Sequence, residues 1–215
     1  MSVSASPTFD AAAAPAGFES SVSRIGPNAV LQLVEALKAR DFADLVGPLF
    51  RHAAAADWLE APPSAMVDER RVARLHREVR IVLPAAEAAA TLAEAGRRTA
   101  DYILANRIPT PAQVALKLLP AGPAAQILVR AIRANAWTFA GSSRFEATAK
   151  GSQAVFILRG NPLCAGEIAA EPVCVWHAAV FQRLFQVLVS PRAKVVETHC
   201  EARGDDRCRF VADWG

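Results

Sequence analysis

At Asn135 the chain changes period. Up to that point apolar residues recur every three or four positions. Beyond it come short segments rich in aromatic and branched residues, AWTFAG, RFEATAK and QAVFILRG, set apart by Gly141-Ser-Ser and Gly151-Ser. The first pattern belongs to helices with one buried stripe and the second to strands with one buried face. Helices first and strands second predict an α+β fold, N-terminal helices packed on a C-terminal antiparallel sheet, rather than a wound parallel sheet.

The helical part divides at its prolines. Pro27 suits a first helical turn, and Val30, Leu33, Val34 and Leu37 carry a helix to about Arg40. A short helix over 42–54 follows, then a loop forced by Pro62-Pro63. Residues 68–83 place Val72, Leu75, Val79 and Val82 on one face and Arg70, Arg74 and Arg77 on another. That arginine stripe is either a solvated face or a contact for an anionic group. An alanine-rich helix is expected over 84–106; its small residues would let another helix approach closely. One or two helices continue to Asn135. Three antiparallel strands, a helix over 173–189 and a hairpin around Gly204-Asp-Asp complete the expected order. Residues 1–22 lack helical period and a basic leader segment, and read as a disordered tail.

A net charge of +3 and 21% charged residues argue against a nucleic-acid binder. No run approaches the roughly 18 apolar residues of a transmembrane helix. A cytoplasmic protein is therefore expected.

All four cysteines, Cys164, Cys174, Cys200 and Cys208, fall in the last quarter. In a cytoplasmic chain such a cluster favours metal or catalytic use over disulfides. Cys200 and Cys208 flank the final turn, and Cys174 begins a helix, where a thiolate is favoured. Tetrahedral zinc would need a fourth ligand. Glu197, His199, His177 and Cys164 all remain open. Alternation along a regular strand would send Glu197 and Cys200 to opposite faces, so the two share a metal only across a bulge.

NPLC, PVCVWHAAVFQRLF and VVETHCEARGDDRCRF together resemble the 4-vinyl reductase domain family, over about residues 136–214. The resemblance implies a ligand-binding fold like that of TRAPP core subunits, with 136–215 as the family domain and 23–135 as a helical region joined to it. It also implies a zinc held by Cys174, Glu197, Cys200 and Cys208, leaving Cys164 without a role. RIGPNAVLQLVEAL extends the likeness to the bacteriochlorophyll-biosynthesis members, named as 4-vinyl (8-vinyl) reductases of protochlorophyllide.

The chain offers no Gly-x-Gly-x-x-Gly after a strand and no ferredoxin-like cysteine spacing. A binding protein is therefore expected, and the resemblance implies that it holds or delivers a magnesium tetrapyrrole between other bacteriochlorophyll-biosynthesis enzymes. Its pocket would draw on Trp137, Phe139, Phe156, Trp176, His177 and Phe181, with His177 as a candidate axial ligand. Arg24 or the stripe over 70–80 would meet the ligand's carboxylates. The alternatives are a divinyl protochlorophyllide reductase and an assembly subunit that forms a homodimer through the helix at 84–106.

Overall fold

Prolines and glycines set the order of elements as expected from their backbone limits. The computed structural model describes residues 23–215, so the tail expected over 1–22 lies outside the described residues. A short strand β1 (Arg24–Ile25) leads into α1 (Asn28–Ala39). Two short helices follow, α2 (Val46–His52) and α3 (Asp57–Glu60). Strand β2 (Val67–Asp68) pairs antiparallel with β1. It runs directly into α4 (Glu69–Val82), whose Asp68 cap accepts the Arg70 amide at 2.8 Å. The long helix α5 (Ala85–Asn106) comes next, then α6 (Thr110–Leu118) and α7 (Ala121–Ala134), each entered from a proline.

Strands β3 (Arg144–Lys150) and β4 (Gln153–Arg159) form a hairpin. Helix α8 (Val175–Leu188) separates it from β5 (Lys194–His199) and β6 (Cys208–Asp213). The sheet order is β3-β4-β6-β5, all antiparallel. Inward residues alternate along β4 (Ala154, Phe156, Leu158) and β6 (Cys208, Phe210, Ala212), whereas Val196 on β5 is exposed. One face is thus buried beneath α7 and α8. There Phe156 stacks on Phe181 at 4.3 Å, and Phe185 meets Trp214 at 5.5 Å.

One expectation needs correction here. AWTFAG is no strand. Asn135 caps α7, and the chain curls into a 3₁₀ turn over Ala136–Thr138, closed by the Thr138 and Phe139 amides on the carbonyls of Asn135 and Ala136. The alanine-rich helix does let other helices approach closely, and they are helices of the same chain. Ala88, Ala95 and Gly96 are buried inside the chain, where α5 packs against α1 and α8. A Cβ at Gly96 would collide with the Trp176 carbonyl oxygen and stand 2.9 Å from the Ala179 Cβ. Gly96→Ala is therefore expected to cost about 1–3 kcal/mol, the usual range for overpacking. Urea unfolding will read this as a lower midpoint; a wild-type midpoint would mean that the two helices have room to spare.

Candidate functional site

Two features converge on α8: a knot of thiols at its N-terminus and a cavity along its side. The thiols arrive from four places. Cys164 ends a 3₁₀ turn (Pro162–Cys164) after β4, Cys174 caps α8, Cys200 follows β5, and Cys208 opens β6. All four are buried and free, and their sulfurs lie within 4.8 Å of one another. Cys174 is 3.8 Å from Cys200 and 3.6 Å from Cys208, and Cys164 is 3.6 Å from Cys208. Four sulfurs at tetrahedral angles about 2.3 Å from a zinc stand about 3.8 Å apart, so the group could coordinate a metal ion. Hydrogen bonding to the neighbouring thiols holds Cys200 far below the usual thiol range, while the same contacts and burial hold Cys174 well above it. Four thiols this close cannot all ionise unless a cation offsets their charge.

The loops that carry the cluster are tied to one another by carboxylates. Glu201 accepts the amides of Gly160 (2.6 Å) and Asn161 (2.7 Å). Buried Asn161 donates its side-chain amide to the sulfurs of Cys174 (3.2 Å) and Cys208 (3.5 Å). Asp205 accepts the Cys200 amide at 2.8 Å, and Gly204, with φ +91°, ends the 3₁₀ turn over Glu201–Arg203. Arg80 on α4 forks onto Glu167 and also donates to the Leu163 carbonyl, strapping the Cys164 loop to the helical layer.

Glu197 stands beside the cluster rather than within it. The register of β5 on β6 shifts between Glu197 and His199, the irregularity that lets Glu197 and Cys200 face the same region. Its Oε2 accepts the Cys174 amide at 2.8 Å, and its buried Oε1 has no partner. Burial, then the charges of Cys200 and Cys208, raise its carboxyl to about 9. Of the expected metal set, the structure gathers Cys174, Cys200 and Cys208 and adds Cys164. His199 bonds Thr198.

The cavity measures about 470 Å³ and lies between α8, the C-terminal end of α5, α7 and the turn before α1. That volume is within the range of small-molecule sites. Trp176, Val180, Phe181 and Leu184 of α8 form one wall, and Trp137 and Phe139 also line the cavity. Phe156 and His177 do not line it. Phe156 packs beneath Phe181, and His177 sits among Phe139, Trp176, Phe181 and Phe210. Neither ring nitrogen of His177 has a hydrogen-bond partner. Sequence reasoning missed Ile103 and Arg107 on and after α5 and Leu128, Ala131 and Asn135 on and after α7. Their spacing is that of ordinary helix faces. Arg107 is the one cationic residue of the lining among the described residues; Arg24 and the stripe over 70–80 do not reach it. Arg70, Arg74 and Arg77 instead border a separate groove of about 260 Å³ with Glu69 and Glu167.

Burial pushes His177 down to about 4 and His76 to about 3, although His76 donates to the Ala29 carbonyl at 2.9 Å. Both are neutral when folded and return toward about 6.5 when unfolded, so the unfolded chain takes up protons first. The histidines' contribution to stability is thus full above about pH 6.5 and falls as pH drops toward 4, at up to about 1.4 kcal/mol per pH unit for each, while Glu197, with its carboxyl raised to about 9, contributes the opposite slope. His177→Phe should remove about half of the histidines' slope in urea titrations across pH 4.5–6.5. An unchanged slope would place the proton uptake elsewhere.

Residues 154–213 match the V-4-R (4-vinyl reductase) domain family. The chain is 47% identical over 188 residues to the "Bacteriochlorophyll synthase 23 kDa chain" of Cereibacter sphaeroides, covering 87% of this chain and 89% of that one. It is 37% identical over 198 residues to the protein of the same name from Rhodobacter capsulatus, covering 87% and 86%. Among solved structures it is similar to an H-NOX protein from S. oneidensis in the Fe(II)NO ligation state, with TM-score 0.54, 11% identity and 89% and 99% of the two chains covered. A point mutant of T. Tengcongensis H-NOX gives TM-score 0.51 at 11% identity, covering 87% and 96%. At such identity the likeness is one of fold alone. It overturns the expected TRAPP-like arrangement: the α+β fold is of the H-NOX kind. The TRAPP-like expectation rested on about residues 136–214, whereas the H-NOX overlay also takes in most of the helical region before them.

Proposed function

We propose, from the premise that this chain belongs to the bacteriochlorophyll synthase 23 kDa chain family, that it binds a magnesium tetrapyrrole intermediate of bacteriochlorophyll formation. The observation that carries the reading is the cavity itself, walled by α8 and largely apolar, with few polar groups around it. Trp137, Phe139, Trp176 and Phe181 would contact a flat macrocycle, Arg107 would pair with a carboxylate, and Asn28, Thr99 and Asn135 would hydrogen-bond its edge. The macrocycle supplies the chemistry of the pathway; the residues of this chain bind it, orient it and keep water from it. A zinc on Cys164, Cys174, Cys200 and Cys208 would be structural, since four protein ligands leave no open position. It would hold the start of α8 to the β5–β6 hairpin.

Titration of the purified chain with magnesium protoporphyrin or protochlorophyllide tests the reading. A saturable Soret shift with tryptophan quenching is expected at micromolar concentration; its absence would sink the proposal. Incubation of the pure protein with a divinyl substrate and NADPH should yield no ethyl product, and turnover there would replace binding by reduction. The relatives' name, one chain of a synthase, favours a second reading in which the ligand is handed over inside an enzyme assembly. Co-purification with other pathway proteins only in the presence of tetrapyrrole would support it.

A further inference from the structure

From Tyr102 to Phe145 the chain contains no Asp or Glu, yet it carries Arg107, Lys117, Arg130, Arg133 and Arg144. The first four are exposed, and none has an ion-pair partner among the described residues. The same stretch exposes large apolar side chains: Leu118 (80%), Trp137 (62%), Val114 (50%), Ile127 (45%) and Leu119 (40%). Half of the exposed large apolar residues of the described chain are therefore concentrated here, interleaved with one sign of charge.

Helix geometry orders them. Val114, Lys117 and Leu118 fall at i, i+3 and i+4 on α6, and Ile127 and Arg130 share a stripe on α7. Leu116 is the only buried residue of α6, which is held to the end of α5 by Gln113 donating to the carbonyls of Leu104 and Ile108. This helix presents most of its surface outward. The cavity opens beside it, for Arg107, Ala131, Asn135 and Trp137 are lining residues that are also exposed.

We propose that the α6–α7 hairpin and Trp137 dock this protein on an anionic lipid surface, with the cavity mouth turned to the bilayer. Apolar side chains enter the acyl boundary, lysine and arginine reach the headgroups along their aliphatic stems, and tryptophan prefers the interface between them. A protein partner would be met by a rim of mixed charge; an unbroken run of unpaired cations fits anionic headgroups. No helix among the described residues is long and apolar enough to cross a membrane, so the contact is peripheral. That the ligand enters the cavity from lipid rests on the tetrapyrrole reading; the docking itself does not.

Flotation of the full chain with vesicles tests the docking. Binding is expected to vesicles of phosphatidylglycerol and phosphatidylcholine in equal parts, and not to phosphatidylcholine alone. Each basic residue near such a surface contributes about a fivefold gain, from roughly 1 kcal/mol apiece, so K117E/R130E/R133E should lose at least a hundredfold in partition. Added salt should weaken wild-type binding. L118E with V114E should abolish it while zinc content and tetrapyrrole affinity in solution stay unchanged. Trp137, the one exposed tryptophan, should be quenched by brominated lipid, and Trp137→Phe should remove that quenching. Failure to float with anionic vesicles, equal flotation of L118E/V114E, or a dimer in sedimentation that L118E disperses would overturn the proposal. None of these outcomes touches the solution titration, so the two readings fail separately.

Discussion

Cys208→Ser is expected to leave the purified protein with little or no zinc and to loosen the β5–β6 hairpin. Each sulfur of the cluster comes from a different loop or element end, so loss of one releases a cross-link between segments far apart in sequence. By analogy with a removed disulfide, the cost should be about 2–5 kcal/mol. Structural zinc accounts for the whole of folding in finger peptides, but this chain keeps a large apolar core without it. The informative comparison is Cys164→Ser against Glu197→Gln. Elemental analysis should show zinc near one per chain in Glu197→Gln and near zero in Cys164→Ser. The reverse pattern would return the fourth position to Glu197, whose unpartnered Oε1 is the nearest competitor in chemistry.

A bulky residue at Ala131 closes the cavity. Ala131 lines it from α7 and is exposed, so Ala131→Trp adds volume at the mouth without strain in the core. Tetrapyrrole affinity should fall on the order of a hundredfold, which corresponds to about 2.7 kcal/mol. Zinc content should not change, because α7 lies away from the thiols. Arg107→Ala should weaken binding less, by about tenfold, if it holds a carboxylate that remains partly solvated. Wild-type affinity in Ala131→Trp would place the ligand outside this cavity.

The sequence showed what is periodic or locally encoded. Val72, Leu75 and Val79 announced α4 because a helix repeats its buried face every three to four residues. Cys174, Cys200 and Cys208 were legible because each sits where an element starts or stops. Cys164 was not. It stands in a 3₁₀ turn with no period, and contacts 44 and 87 positions apart fix its place: its own with Cys208, and that of Arg80 with Glu167. AWTFAG has the composition of a strand, yet the Asn135 cap and the turn it closes decide otherwise. The cavity wall was hidden for another reason. Ile103, Leu128 and Ile132 look the same in sequence whether they face a neighbour or a void, and only the relative placement of α5, α7 and α8 tells them apart.

Helix α8 begins on one of the four sulfurs and continues as the cavity's wall. Two binding events that share one rigid rod become thermodynamically reciprocal: whatever factor the cation adds to pigment affinity, the pigment must add to retention of the cation. At equilibrium with a competing chelator, the loaded form should then retain more zinc than the empty one. Equal retention in the empty and loaded forms would show that the rod transmits nothing.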